Sequence, residues 1–118
     1  MSFFAARWWY ATAPDDNNAK WFNTVIKGDA QERKVVAVWK EPGVYTTEAN
    51  FIPRPGGTAE DDGVLFSVMY DSNIDDSILV LLDARNLTLI GKSPLGMVIP
   101  YHSHGVLCNA KGRCFANP

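Results

Sequence analysis

The chain is short, rich in apolar residues and close to electrically neutral. It has 118 residues, of which 47% are hydrophobic and four are tryptophan, and its net charge is -2. This composition is too apolar for an intrinsically disordered protein, and it offers no basic stripe for binding nucleic acid. No apolar run reaches the roughly 18 residues of a membrane-spanning helix, and the first residues do not resemble a signal peptide. We therefore expect one globular unit over residues 1–118, in the cytoplasm.

The first third of the chain contains three runs with the composition of β-strands. Residues 7–13 are aromatic and end at a Pro-Asp-Asn cluster, residues 14–18, which predicts a loop. Residues 20–27 and 33–40 are rich in β-branched and aromatic residues, and the polar segment 28–32 between them has the composition of a hairpin turn. The sequence predicts one strand followed by a hairpin.

The middle of the chain is interrupted by prolines. Residues 44–53 are expected to extend only in short pieces, because Pro53 and Pro55 have no N–H for a sheet ladder. The polar segment 54–63 is predicted to be a loop. Its acidic residues, 60–62, lack the spacing of a calcium-binding loop, so a solvated turn is expected there.

The next runs are almost continuously apolar. Residues 63–70 and 77–82 have the length of strands, and strands this apolar are predicted to be buried on both faces. The acidic turn 71–76 separates them, and the tight turn 83–86 leads to a further strand at 87–92. Turns recur every eight to twelve residues along the chain, which predicts an all-β fold: a sandwich, a barrel or part of a propeller.

Both histidines of the chain lie near its end, in the segment 97–107. In an extended segment His102 and His104 point to the same side, where two imidazoles can share a transition metal. A His-x-His pair without other ligands nearby is, however, more often two ordinary strand residues than a metal site. Ser103 between them has no nucleophile elbow around it, so nucleophilic catalysis is not expected.

Two further groups of residues leave alternatives open. Cys108 and Cys114 can close a small disulfide loop or remain reduced thiols, and a cytosolic chain favours the thiols. A cluster of aromatic residues can line a cavity for an apolar ligand, although core packing is its commoner role. These aromatic residues are Trp8, Trp9, Tyr10, Trp21 and Phe22.

Six blocks of the sequence follow one another in an order and spacing typical of one enzyme family. The blocks are residues 7–12, 22–27, 38–55, 60–64, 79–87 and 99–105. They resemble the carboxy-terminal part of the carotenoid cleavage oxygenases, which include the β-carotene oxygenases and the retinoid isomerohydrolase of the visual cycle. The resemblance covers nearly the whole chain.

The resemblance implies a fold and a metal centre. The fold is a seven-bladed β-propeller, of which this chain would be the C-terminal blades, with Fe(II) on the propeller axis held by four histidines. By position, His104 corresponds to the last of these ligands. Glu48 corresponds to a glutamate that accepts a hydrogen bond from a ligating imidazole, which fixes its tautomer and raises its basicity.

The chain departs from the family pattern at several positions. His102 stands where the family has Gly or Thr, Ser103 where it has Phe, and Ala49 where a proline follows the glutamate. The other three histidine ligands would lie upstream of Met1. We therefore expect the chain to be a C-terminal fragment that is inactive alone.

The function implied by the resemblance is oxidative cleavage of a C=C bond in a carotenoid or apocarotenoid by dioxygen at nonheme Fe(II). An isomerohydrolase acting on a retinoid is the alternative within the family. A non-catalytic β module that binds apolar ligands is the alternative outside it. The lipophilic substrates further imply peripheral membrane contact of the full-length enzyme.

Overall fold

A computed structural model of the chain describes residues 6–15, 21–99, 107–108, 110–111 and 114–115. Every regular element in these ranges is a strand, so the predicted all-β class is confirmed. The ten strands are β1 Trp8–Ala13, β2 Thr24–Asp29, β3 Lys34–Lys40, β4 Val44–Tyr45, β5 Asn50–Pro53, β6 Gly63–Asp71, β7 Asp76–Asp83, β8 Leu89–Pro94, β9 Leu107–Cys108 and β10 Cys114–Phe115.

The first sheet is antiparallel, with the strand order β1-β2-β3. The predicted hairpin is present, but the expected turn at 28–32 is wrong, because Gly28 and Asp29 belong to β2. Gly28 pairs with Trp9, whose indole occupies the space that a Cβ at Gly28 would need. The Asp29 carboxylate accepts hydrogen bonds from the N–H groups of Gln31 and Glu32, at 2.9 and 3.2 Å, and so caps the turn from within the strand.

The second sheet is a four-column antiparallel meander. Its order is β4-β6-β7-β8, and β5 pairs with β6 beyond the end of β4, so β4 and β5 form a single interrupted column. One face of β6 and β7 buries Leu65, Met69, Val80 and Leu82 against Val25 of the first sheet. The two sheets therefore stack face to face around one apolar core.

The expectation that the apolar strands are buried on both faces is only half right. Burial alternates along β6, with Leu65 and Met69 buried and the intervening Phe66 and Val68 half-buried. Within the part of the chain that the structure describes, one face of this sheet meets the first sheet and the other face has no covering layer. The outer face of the first sheet is also apolar, and Val38 there is 59% exposed.

A buried ion pair crosses from the first sheet to the loop that precedes β6. Lys27 Nζ lies 2.6 Å from Asp61 Oδ2 and donates to the Arg85 carbonyl at 2.7 Å, and the Lys27 side chain is 2% exposed. The ammonium also lies 4.1 Å from the centre of the Trp8 ring, within the range of a cation–π contact. The acidic segment 60–62, expected to be a solvated turn, is instead an anchor between sheets.

The other two carboxylates of that segment also have fixed partners, Glu60 in the first sheet and Asp62 beside the second. Both oxygens of Glu60 accept backbone N–H groups of β1 and its preceding residue, from Arg7 at 3.1 Å and Trp8 at 2.6 Å. Asp62 is 7% exposed and binds the guanidinium groups of Arg54 and Arg85. Burial of the Asp62 carboxylate is tolerated because the two guanidinium groups carry the opposite charge.

Removing Lys27 should destabilise the chain strongly. Lys27→Met leaves the Asp61 carboxylate without its buried partner, and breaking such a pair typically costs about 3–5 kcal/mol. The free energy of unfolding is obtained from urea titration of the 118-residue chain. Lys40→Met is the matched control, since its pair with Asp15 is more exposed and should cost no more than about 1 kcal/mol. Equal losses in the two variants would contradict this account.

Stability should also fall in acid. Hydrogen bonds from Arg7 and Arg54 hold the pKa values of Asp29 and Asp62 below the usual value for an aspartate. A group whose pKa is lower in the folded state stabilises the fold while it is ionised, and this contribution is lost as the pH falls through the folded pKa. We expect the free energy of unfolding to decrease below roughly pH 4, near the unfolded value of Asp. Asp62→Asn should flatten this decrease in urea titrations between pH 3 and 7, and an unchanged pH profile would contradict the role of Asp62.

Candidate functional site

The candidate site is the interruption between β4 and β5, where Glu48 lies. The ladder pairs Tyr45 with Tyr70 and resumes with Asn50 opposite Phe66. Four residues of the interrupted column therefore face three residues of β6, which is one residue more than a regular ladder holds. Such a bulge changes the direction of a side chain and is common beside active sites.

Two buried hydroxyl groups hold the bulge against β6. Thr47 Oγ1 donates to the Val68 carbonyl at 2.6 Å and lies 3.2 Å from Ser67 Oγ. A hydroxyl has one proton, so when Thr47 donates to Val68 it is Ser67 that donates to Thr47. Both side chains are buried, and each hydroxyl has a hydrogen-bond partner, as buried polar groups require.

A third buried residue ties the bulge to the other sheet. Thr46 is fully buried; its N–H donates to the Phe22 carbonyl at 2.9 Å and its hydroxyl donates to the Thr24 carbonyl at 3.2 Å. The chain on either side of Glu48 is therefore fixed by different means. Thr46 and Thr47 hydrogen-bond before it, and Ala49 packs against the core after it.

Glu48 itself is half-buried between these anchors. Its position at a bulge suits a carboxylate that orients another group, because the backbone on both sides is fixed. The predicted metal ligand His104 and its neighbours His102 and Ser103 lie outside the described residues. Among residues 6–15 and 21–99, no group of three or more His, Cys, Asp or Glu side chains is placed to hold a metal ion.

The donor groups of the bulge fit the surroundings of the iron that the resemblance implies. Glu48 offers one carboxylate, and the hydroxyls of Thr46 and Thr47 are engaged by backbone carbonyls. Such a set fits the outer side of a metal centre, where a carboxylate accepts a hydrogen bond from a ligating histidine, better than it fits the metal itself.

Two short strands lie near the end of the chain. β9 and β10 form a short antiparallel pair in which Cys108 lies opposite Cys114. The predicted thiol state of the two cysteines stays a prediction.

The sequence predicted Glu48 as a site residue, which stays a prediction, and gave no indication of Thr46, Thr47 and Ser67. Nothing in the composition of a Thr-Thr-Glu run distinguishes buried threonines from solvated ones. The one available signal was the interruption of the strand pattern over residues 44–53, which left a short irregular stretch between two β-forming pieces.

Comparison with known proteins shows the family to which the chain belongs. A family model described as retinal pigment epithelial membrane protein matches residues 4–108. The chain belongs to this family. The resemblance to carotenoid cleavage oxygenases that the sequence blocks indicated is thereby confirmed.

Curated relatives in the family are cleavage enzymes by name. The mitochondrial carotenoid-cleaving dioxygenase of Homo sapiens is 38% identical over 84 residues, which cover 70% of this chain and 14% of that protein. The apocarotenoid-15,15'-oxygenase of Synechocystis is 44% identical over 66 residues, covering 54% of this chain and 14% of that protein. The chain thus spans about one seventh of the length of these relatives.

Solved structures in the family have the same fold over this part. Cobalt-substituted Synechocystis apocarotenoid oxygenase matches with a TM-score of 0.78 and 31% identity, over 85% of this chain and 22% of that one. A chimaera of that oxygenase matches with a TM-score of 0.78 and 26% identity over the same shares. The predicted fold, an all-β part of a propeller enzyme, is confirmed.

Two findings bear on the predicted cytoplasmic location. No helix in the described ranges is long and apolar enough to cross a membrane. The relatives include proteins named as mitochondrial and chloroplastic, so a cytoplasmic location stays a prediction.

Proposed function

We propose that this chain is one section of a propeller enzyme that cleaves a C=C bond of a carotenoid or apocarotenoid with dioxygen. The support is the match of its two stacked sheets to an apocarotenoid oxygenase, combined with a bulge that fixes Glu48 in the interrupted column of the second sheet. The names of relatives 38–44% identical to the chain favour this chemistry.

In this proposal His104 is a ligand of Fe(II) and Glu48 orients a ligating imidazole. A carboxylate that accepts the second N–H of an imidazole selects the tautomer whose other nitrogen can bind metal. A bound Fe(II) supplies the open coordination positions at which dioxygen is activated. Glu48 is suited to its role because Thr47 and Ala49 fix the chain on both sides of it.

The activity requires more than the 118 residues. The chain has two histidines, and the four-histidine centre that the resemblance implies needs ligands from elsewhere in the propeller. We therefore propose that the isolated chain is inactive and that it acts as part of the larger ring. Carotenoid, apocarotenoid and dioxygen are the proposed substrates, and peripheral membrane contact of the whole enzyme is proposed from the lipophilic nature of the polyene.

A retinoid isomerohydrolase is the second candidate, because the description of the family names the retinal pigment epithelium. A non-catalytic module that binds apolar ligands is the third. The exposed side chains of Trp9, Val36 and Val38 on the outer face of the first sheet favour it, since exposed apolar surface commonly marks an interaction site.

The metal-site assignment is tested in an oxygenase chimaera. The matching segment of Synechocystis apocarotenoid oxygenase is replaced by this chain, and Fe(II) affinity is measured by anaerobic titration. We expect His104→Ala to abolish stoichiometric iron binding, because a ligand is lost. Glu48→Gln should weaken iron binding about 10- to 100-fold, the usual effect of removing the partner of a ligating histidine.

Glu41→Gln is the matched carboxylate control. Glu41 pairs with Lys92 across the second sheet and does not hydrogen-bond to the bulge, so iron affinity should be unchanged. Wild-type iron affinity in both His104→Ala and Glu48→Gln would overturn the assignment. Retention of apolar-ligand binding by the isolated chain after His104→Ala, with no iron dependence, would favour the binding module.

A further inference from the structure

We propose that Thr47 is a positioning residue for Glu48, and that the pair Thr47–Ser67 sets the orientation of the carboxylate at the metal centre. The inference rests on the proposed function, since it concerns how that same site is held. Thr47 contacts no substrate and no metal in this account; it acts through the residue that follows it.

The Thr47 hydroxyl bonds to β6 at the place where the ladder is interrupted. Between the pairs Tyr45–Tyr70 and Asn50–Phe66 the strands cannot keep a regular exchange of N–H and C=O groups, because one residue is extra. The Val68 carbonyl lies opposite this stretch and accepts the Thr47 hydroxyl at 2.6 Å. A side chain thus bonds to the neighbouring strand where the regular backbone ladder is interrupted.

Ser67 further restricts the orientation of the Thr47 hydroxyl. Its hydroxyl lies 3.2 Å from Thr47 Oγ1, and with Thr47 donating to Val68 it supplies the proton for that second contact. Thr47 therefore has both a fixed acceptor and a fixed donor, and a β-branched side chain has few χ1 alternatives. Glu48 is attached directly to a residue with little freedom to rotate.

The two threonines before Glu48 have separate roles. Thr46 bonds to the backbone of the first sheet, through Phe22 and Thr24, and so contributes to the stacking of the sheets. Thr47 bonds only within the second sheet, to the strand that runs beside the bulge. The geometry points to Thr47 as the residue whose loss would affect Glu48 most directly.

The test uses the oxygenase chimaera with variants at Thr47, Ser67 and Glu48. Thr47→Val keeps the shape of the side chain and removes its hydroxyl, and should weaken Fe(II) binding about tenfold, the low end of the range for lost support of a ligand. Thr47→Ser keeps the hydroxyl and should restore the affinity. Ser67→Ala should weaken iron binding in the same direction and by less. Thr47→Val combined with Glu48→Gln should bind no more weakly than Glu48→Gln alone, because both changes act through one carboxylate.

A matched control separates positioning from stability. Thr24 is also a buried threonine, and its hydroxyl donates to the Ala13 carbonyl at 2.7 Å within the first sheet. Thr46 of the bulge bonds to the backbone carbonyl of Thr24, which Thr24→Val keeps. Thr24→Val should lower thermal stability as Thr47→Val does and leave iron affinity unchanged. The visible absorption of the Co(II)-substituted chimaera gives a second readout: its bands should change in Thr47→Val and Glu48→Gln and not in Thr24→Val.

The outcomes distinguish this inference from the proposed function. If Glu48→Gln changes neither iron affinity nor the Co(II) spectrum, the proposed role of Glu48 is overturned and this inference with it. If Glu48→Gln changes both and Thr47→Val behaves like Thr24→Val, this inference alone is overturned. A Thr47→Val variant that does not fold is replaced by Ser67→Ala, whose wild-type affinity and spectrum would have the same meaning.

Discussion

The stacking of the first sheet on the second is the constraint on which the other features of the structure depend. Val25 and Lys27 alternate with outward residues of β2, so one strand contributes both an apolar contact and a buried charge to the same interface. The charge is tolerated because Asp61 and the Arg85 carbonyl meet it there. The acidic segment before β6 is consequently fixed to the first sheet. The bulge is fixed to the first sheet as well, since Thr46 in the interrupted column of the second sheet hydrogen-bonds to the first.

The site and the core use the same strand for different purposes. Along β6, Leu65 and Met69 fill the core, and Ser67 between them on the same face makes the hydroxyl contact at the bulge. A polar side chain in such a row would be costly if its proton had no acceptor. The Thr47 hydroxyl accepts that proton, so Ser67 can be buried without this cost. The same contact holds the bulge against β6.

The sequence allowed the strands to be predicted more accurately than the contacts between them. Periodic apolar runs determined β3, β6 and β7 to within a residue or two, because burial of a strand face depends on local composition. The turn after β2 was misplaced because Gly28 lies within the strand, where the ring of Trp9 on another strand leaves no room for a side chain. Local composition cannot show such a contact. The solvated turn expected at 60–62 was wrong for a similar reason: the partners of Glu60 and Asp61 lie 34 residues or more away along the chain. Glu48 was predicted through family resemblance, whereas the contacts of the neighbouring threonines depend on a register that no local pattern encodes.

The residue after Glu48 explains why the hydroxyl contacts matter in this chain in particular. In the family pattern a proline follows the glutamate, and a proline fixes its own φ and restricts the conformation of the residue before it. Ala49 imposes neither restriction, so the conformation at Glu48 must be fixed by tertiary contacts. Packing of Ala49 and Phe51 against the core supplies this on one side, and Phe51 is itself held by stacking on Tyr10 of the first sheet. On the other side the Thr47 and Ser67 hydroxyls supply it. The chain thus replaces a local covalent restraint by contacts that exist only once the two sheets have formed, which makes the geometry at Glu48 a property of the folded sheets.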